Sequence, residues 1–185
     1  MKVSEEGTYF EVTTDDDYAP PGLARPVNHD FSFSRLTREA GRMTNVPDLR
    51  WSWPHRTHRP GDIVGVSDGV RVISPVMKDI LDSHRTSEDE IQWVPATVVD
   101  PEGRALPHWV PHFPQQLDLY DHEQSTFGPN GLPIRYVLSA SKLASHAVTI
   151  MGAKAMTFVL AERVVDDLKN AGCIGLMYMK LPIAA

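Results

Sequence analysis

Apolar residues along this chain recur in two spacings, one typical of strands and one typical of helices. Alternation, or enrichment in valine, isoleucine and aromatic residues, indicates half-buried strands. A strand, a turn at Ser67-Asp68-Gly69 and a second strand are predicted over residues 62–73. Further strands are predicted over residues 7–13, 91–99, 134–138, 156–160 and 174–181, the last of them apolar on both faces.

Two segments carry the three- and four-residue apolar spacing of amphipathic helices. Ser74 followed by Pro75 is typical of a helix start, because serine caps the first turn and proline at the first helical position needs no N–H. This predicts a helix over residues 75–83. A second helix is predicted to begin near Ala161 and to end at Gly172, which readily adopts the left-handed conformation of a helix C-terminus.

Proline interrupts regular structure in two long segments, residues 20–60 and 106–133. Proline fixes φ and lacks an N–H, so short strands joined by ordered loops are expected in the first segment. Trp51 and Trp53, two residues apart, would there point to one face of an extended stretch. The second segment is predicted to be a long, structured insertion. Residues 139–150 fit either a helical stripe or the start of a strand, and the pattern leaves both open.

These elements predict an α+β fold with a mixed or mostly antiparallel sheet and a few short helices. A unit of strand, helix and strand occurs over residues 70–99 and again over 157–182, which suggests two pseudo-symmetric β-α-β-like halves. Chance, or secondary structure that the two segments happen to share, is the alternative explanation of this repeat. We expect one domain over residues 1–185, with a strand and proline-rich part at 1–60 and an α/β part at 61–185.

Composition and charge narrow the classes of function. Apolar residues make up 42% of the chain and Cys173 is its one cysteine, so we expect a folded protein in a reducing compartment. No apolar run approaches the roughly 18 residues that span a bilayer, and the acidic N-terminus is unlike a secretory signal. We therefore expect a cytoplasmic protein without a membrane partner.

The net charge of −6 is concentrated at the N-terminus, where six acids stand against one lysine in the first 18 residues. Direct nucleic-acid binding is not expected, because it needs a clustered basic surface. Asp15, Asp16 and Asp17 could instead attract a basic partner and speed its association. The alternative is a solvated edge strand and turn, whose charges only discourage unwanted sheet pairing.

One histidine-rich stretch suggests metal chemistry. Imidazoles and carboxylates that could ligate a divalent metal occur at His108, His112, Asp118, Asp121, His122 and Glu123. A metal-dependent hydrolase that uses His108, His112 and His122 is therefore the alternative function. Against it, the neighbouring prolines forbid a helix that would place His108 and His112 on one face. A proline-rich surface loop explains the same residues, and we predict neither a metal nor a cofactor.

A second polar cluster, His55-Arg56-Thr57-His58-Arg59, could hold a phosphate or another acidic group. Arginine suits this role because its planar guanidinium can donate two parallel hydrogen bonds to one anion. A turn with solvated charges between Trp53 and Pro60 explains the cluster equally well.

Four phrases of the sequence resemble a known family. They are Arg59-Pro-Gly-Asp-Ile, Ile73-Ser-Pro-Val-Met-Lys-Asp-Ile-Leu, Ile91-Gln-Trp-Val-Pro-Ala and Phe158-Val-Leu-Ala-Glu-Arg-Val-Val-Asp-Asp-Leu-Lys-Asn-Ala-Gly-Cys-Ile-Gly-Leu. Over residues 59–182 the chain resembles the DUF1629 family, a group of bacterial immunity proteins from polymorphic toxin systems that is also called the Imm11 group. The shared phrases mark a fold and carry no catalytic residues.

The resemblance implies a non-enzymatic inhibitor that is encoded beside its toxin and kept in the producer's cytoplasm. The implied partner is a toxin effector, a nuclease of the kind delivered by type VI secretion. Active-site occlusion, allosteric inhibition and a homodimeric resting state are all left open. As contact residues we predict the acids Asp15, Asp16 and Asp17 at the rim, with Trp109, Phe113 and Tyr120 as aromatic anchors.

Overall fold

The computed structural model describes residues 7–15, 17–18, 23–27, 34–67, 69–151 and 157–184. Its helices are α1 (Ser34–Arg38), α2 (Pro75–His84), α3 (Ala140–Leu143) and α4 (Glu162–Asn170). Its strands are β1 (Tyr9–Thr14), β2 (Arg25–Pro26), β3 (Leu49–Ser52), β4 (Ile63–Val64), β5 (Val72–Ile73), β6 (Gln92–Val99), β7 (Ala105–His112), β8 (Thr126–Phe127), β9 (Pro133–Arg135), β10 (Leu138–Ser139), β11 (Val148–Ile150), β12 (Phe158–Ala161), β13 (Leu176–Lys180) and β14 (Ile183–Ala184). The α+β prediction is confirmed. None of the described helices is long and apolar enough to cross a membrane.

The largest sheet has six strands in the order β2-β3-β6-β7-β5-β4, and only the β3–β6 pair is parallel. Its centre is the long β6–β7 hairpin, closed by a turn at residues 100–103. Asp100 organises this turn, because its Oδ1 accepts hydrogen bonds from the backbone N–H groups of Glu102 and Arg104. Gly103, with φ +82°, supplies the left-handed residue that the turn needs.

Strand β7 shows that the alternative of a proline-rich surface loop around His108 and His112 is wrong, since both residues lie in a regular strand. Two prolines, Pro107 and Pro111, lie inside it, and Pro95 lies opposite in β6. The three proline-containing pairs are alternate pairs of one antiparallel ladder, where hydrogen-bonded and non-hydrogen-bonded pairs alternate. Since proline cannot donate, these are the non-hydrogen-bonded pairs, and the ladder bonds run through the pairs between them. Proline at this spacing is therefore compatible with a central strand.

The second sheet is fully antiparallel, in the order β11-β12-β1-β13. The N-terminal strand β1 lies between β12 and β13, so the alternative of a solvated edge strand is wrong for it. A parallel β10–β14 pair and a short β8–β9 hairpin complete the described sheets. Residues 139–150, left open by the pattern, contain both a short helix, α3, and a strand, β11.

The repeated strand-helix-strand pattern corresponds to two units with the same connectivity. In the first, α2 links β5 to β6, which run parallel on either side of β7. In the second, α4 links β12 to β13, which run parallel on either side of β1. The helices α2 and α4 pack against each other, and His84 Nε2 lies 2.7 Å from Asp167 Oδ2 across their contact.

Buried side chains form two clusters on opposite faces of the six-stranded sheet. Alternate residues of β6, among them Val94 and Val98, face a cluster that contains both Trp51 and Trp53, as their spacing predicted. The other face packs against a larger cluster that includes α2, α4 and the four-stranded sheet. The predicted cap of α2 is present, since Ser74 Oγ accepts from Met77 N at 3.1 Å.

Candidate functional site

Strand β13 forms an edge of the four-stranded sheet and exposes two methionines. Met177 is 42% exposed and Met179 is 44% exposed. Their cross-strand partners in β1 are Thr13 and Glu11, which are alternate residues and therefore share one face of the sheet with the methionines. Exposure of both side chains shows that the strand buries much less on this face than its apolar sequence suggests.

The acidic turn after β1 lies beside the start of β13. Asp15 N donates to Gly175 O at 3.0 Å, and Asp15 Oδ1 accepts from Asp17 N at 3.0 Å. Asp17 is exposed, whereas Asp16 lies outside the described residues. The register thus joins acids from one end of the chain to methionines from the other. We call the sheet face of Glu11, Thr13, Met177 and Met179, together with the adjoining turn of Asp15 and Asp17, the acid–methionine face.

The far side of this face is fixed by Tyr136, whose hydroxyl donates to Glu11 Oε2 at 3.1 Å. Burial and the neighbouring Glu11 carboxylate raise the pKa of Tyr136 to about 12. The phenol therefore stays protonated and keeps donating at neutral pH. Glu11 is held in place by this bond, while Asp17 extends further into solvent.

The three predicted aromatic anchors lie in different surroundings. Phe113 is only 9% exposed and packs edge-to-face on Phe158, with ring centroids 6.0 Å apart, so it belongs to the core. Trp109 is half-buried under Lys78, whose Nζ is 5.3 Å from the ring centroid. Tyr120 is half-buried in a ring cluster, 5.3 Å from Phe127. The structure does not bring these anchors together with the acidic turn into one described cluster.

The histidines of the alternative hydrolase hypothesis are engaged separately. His108 Nδ1 lies 3.1 Å from Leu106 O, while both ring nitrogens of His112 meet backbone carbonyls, at 2.9 and 2.6 Å. Four residues apart on β7, His108 and His112 are separated by about 13 Å along the strand, too far to share one metal ion. His122 is exposed and bonds to Asp118. Among the described residues, no group of three or more His, Cys, Asp or Glu side chains could hold a metal.

The polar cluster at residues 55–59 lines a groove of about 490 Å³. The groove is bounded by the loop over residues 53–62, by the N-terminus of α2 and by the β6–β7 turn with the first half of β7. His108 lies in its wall, so the structure combines two clusters that the sequence treated as separate. Sequence spacing could not have indicated this, because the two segments meet only through the pairing of β6 with both β7 and β3, the strand that precedes residues 55–59.

The exposed methionines were not among the predicted contact residues. The sequence signal that could have indicated them is the apolar strand over residues 174–181, which has no polar face. Such a strand either lies in the core or exposes apolar side chains that can bind a partner. Comparison with models of known protein families gives no match, and comparison with curated proteins gives none either. The resemblance to the DUF1629 family therefore stays a prediction.

Proposed function

We propose that this chain is an immunity protein that binds and neutralises a cognate toxin, a nuclease, in the producer's cytoplasm. The observation that carries the proposal is the acid–methionine face, on which exposed Met177 and Met179 lie beside the acidic turn of Asp15 and Asp17. The resemblance of residues 59–182 to immunity proteins supports the same function. Occlusion of the toxin's active site is the mode of inhibition that we propose.

Physical complementarity favours such a partner. A nuclease holds phosphates in a basic groove, and a surface that occludes the groove must be acidic where the phosphates would lie. Methionine is unbranched and polarisable, so exposed methionines adapt to an irregular apolar surface. Acids at the rim raise the association rate, and buried apolar side chains at the centre set the dissociation rate. The face supplies both kinds of group.

The first experiment mixes the purified chain with the protein encoded by the adjacent gene. A stable one-to-one complex and loss of nuclease activity are expected, measured by calorimetry and by a DNA-degradation assay. An interface of this kind should bury roughly 1,600 Å² in total. The proposal fails if the two proteins do not associate and the toxin stays active in excess of the chain.

Matched variants then test the face. Replacing both Met177 and Met179 by alanine should weaken binding by about tenfold or more, mainly through faster dissociation, because central apolar contacts dominate affinity. Val76→Ala is the control, since Val76 is also exposed but lies on α2. If the double variant binds as tightly as the control, the toxin contacts another surface.

The contribution of the acidic turn is measured by the rate of association. Asp17→Asn should slow association at low salt and reduce its salt dependence, while dissociation changes little. Asp166→Asn removes the same charge from the exposed side of α4 and should leave association nearly unchanged. Equal effects of the two variants would show only a general charge effect. Light scattering of the chain alone detects the remaining outcome, self-association through the β13 edge.

A further inference from the structure

The groove beside α2 has the size of a small-molecule site. Its volume of about 490 Å³ lies within the roughly 300–1,000 Å³ typical of ligand pockets. Four prolines and Trp53 give it apolar walls, and charged side chains line its rim. Such a mixture suits a compact ligand that has both an apolar body and a charged group.

Two arginines of this groove are available to a ligand. Arg56 and Arg59 are exposed, and neither side chain has an ion-pair or hydrogen-bond partner among the described residues. Arg104, in contrast, is held by Asp100, with Arg104 Nε 2.6 Å from Asp100 Oδ2. Arg56 and Arg59 are therefore the arginines of the lining that no carboxylate pairs with, although the three arginines and three acids of the lining sum to zero charge.

The acids of the groove are already engaged. Asp62 accepts the Ser74 hydroxyl on Oδ1 and the Ile174 N–H on Oδ2, the latter at 2.8 Å. Glu102 lies 3.4 Å from an Arg104 nitrogen. With both carboxylate oxygens of Asp62 in use, this acid holds the wall together and is not directed at a cation.

The N-terminus of α2 opens into the same groove, since Ser74 and Pro75 line it. This helix has 10 residues, and its first turn contains no acidic side chain. The aligned peptide dipoles give a helix N-terminus a partial positive charge that favours anions. Arg56, Arg59 and the helix terminus favour an anion, whereas the Asp62 carboxylate that accepts the Ser74 hydroxyl at this terminus opposes one.

A histidine in the groove wall offers a hydrogen-bond acceptor to a ligand. His108 is only 6% exposed, and its Nδ1 lies 3.1 Å from Leu106 O, which can only accept, so Nδ1 carries the proton. Nε2 is then an acceptor, and it has no partner among the described residues. Burial lowers the pKa of His108, which keeps this lone pair free at neutral pH. This acceptor in the groove wall can take a hydrogen bond from a ligand donor or from water.

We propose that the groove binds a small phosphate monoester that also carries a hydroxyl or N–H donor. The phosphate lies against Arg56, Arg59 and the N-terminus of α2, and the donor bonds to Nε2 of His108. The apolar walls hold the sugar or base. Sugar phosphates and nucleoside monophosphates share this chemistry, so the experiment includes one of each. The proposal concerns a different surface from the acid–methionine face and does not depend on toxin binding.

The test titrates the full-length chain with ribose 5-phosphate, adenosine 5′-monophosphate and inorganic phosphate by calorimetry and by NMR of the histidine ring nitrogens. Saturable binding of at least one ester is expected, at least tenfold tighter than its dephosphorylated form and than inorganic phosphate. The same ester should shift the Nε2 resonance of His108. This resonance reports on the site without a substitution at a buried residue that could unfold the chain.

Variants complete the test. Replacing Arg56 and Arg59 together by glutamine should weaken ester binding by about tenfold or more, because charge-assisted hydrogen bonds are lost. Arg135→Gln, an exposed arginine on β9, is the control and should change affinity less than twofold. Absence of saturable binding by either ester overturns the proposal. So does equal weakening by the control, or binding that leaves His108 unshifted.

Discussion

Replacement of Asp89 by alanine should strongly destabilise this fold. Asp89 is 4% exposed and lies in the connection between α2 and β6. Its carboxylate accepts four hydrogen bonds, from His146 Nδ1 at 2.8 Å, Ala147 N at 2.9 Å, Val148 N at 3.2 Å and Thr86 N at 2.9 Å. One side chain thus joins this connection to the start of β11.

The expected magnitude follows from the donors left behind. Alanine would remove the acceptor of three backbone N–H groups, of which those of Ala147 and Val148 are in fully buried residues. A buried donor without a partner costs about 1–3 kcal/mol. Allowing for partial relaxation, Asp89→Ala should lower the free energy of unfolding by about 3–5 kcal/mol, a large part of the roughly 5–15 kcal/mol available to a domain.

Two further variants separate hydrogen bonding from other effects. Asp89→Asn keeps one carbonyl oxygen for the backbone donors and should cost less, about 1–2 kcal/mol. Glu88→Ala changes an exposed neighbour and should stay within about 0.5 kcal/mol of the unchanged chain.

Urea unfolding followed by tryptophan fluorescence measures these differences, since Trp51 and Trp53 are buried. Hydrogen exchange at Ala147 and Val148 reports on the same bonds locally. A free energy of unfolding of Asp89→Ala within about 1 kcal/mol of that of the unchanged chain, with the same denaturant dependence, would contradict the prediction. In that case the carboxylate does not stabilise the contact between the α2–β6 connection and β11 as its geometry indicates.

Three other predictions follow from glycine geometry and from shifted pKa values. Gly175→Ala should cost at least about 1 kcal/mol more than Gly103→Ala by urea unfolding. Both glycines have positive φ, so alanine is strained at either position. A Cβ at position 175 would also lie 3.2 Å from Gly61 Cα, whereas a Cβ at position 103 meets nothing within 4 Å. Equal losses of unfolding free energy in the two variants would contradict this steric argument. Burial raises the pKa of Cys173 to about 11, so on the order of one thiol in a thousand is ionised at pH 8. Iodoacetamide should therefore alkylate Cys173 far more slowly in the folded chain than in the urea-unfolded chain. Comparable alkylation rates, measured by mass spectrometry, would show that the pKa of Cys173 is not raised by folding. Burial lowers the pKa of His108, so as pH falls through about 6.5 the unfolded chain takes up a proton that the folded chain resists, and the free energy of unfolding falls. His108→Gln should flatten this decline between about pH 7 and 5, and an unchanged slope would count against it.

Local signals in the sequence were sufficient for α2 and α4, whereas α1 lies in a segment for which only short strands and loops were predicted. The Ser74-Pro75 start of α2 and the Gly172 stop after α4 depend on neighbouring residues only, and both occur where the pattern placed them. Strand β6 and the turn at residues 100–103 were predictable for the same reason. Each of these features is decided within a few residues of backbone.

Strand β7 and the surfaces depend on partners distant in sequence. Pro107 is tolerated in β7 only because it falls in a non-hydrogen-bonded pair with β6. The register between the two strands decides this, and the residues around Pro107 do not specify the register. Phe113 and Met177 show that burial, too, depends on partners distant in sequence. Phe113 was expected at the surface and packs on Phe158, whereas Met177 was expected within an apolar strand and is exposed at a sheet edge.

The position of β1 links the fold to the proposed interface. Because β1 pairs with both β12 and β13, the acidic turn that follows it is fixed against Gly175 by the register of the sheet. Deleting the N-terminal residues would therefore remove the central strand along with the acids, and loss of binding after such a truncation could not be assigned to charge. Only substitutions that preserve β1, such as Asp17→Asn, isolate the electrostatic contribution. The same reasoning applies to β13, where Met177 and Met179 can be shortened without breaking a backbone hydrogen bond.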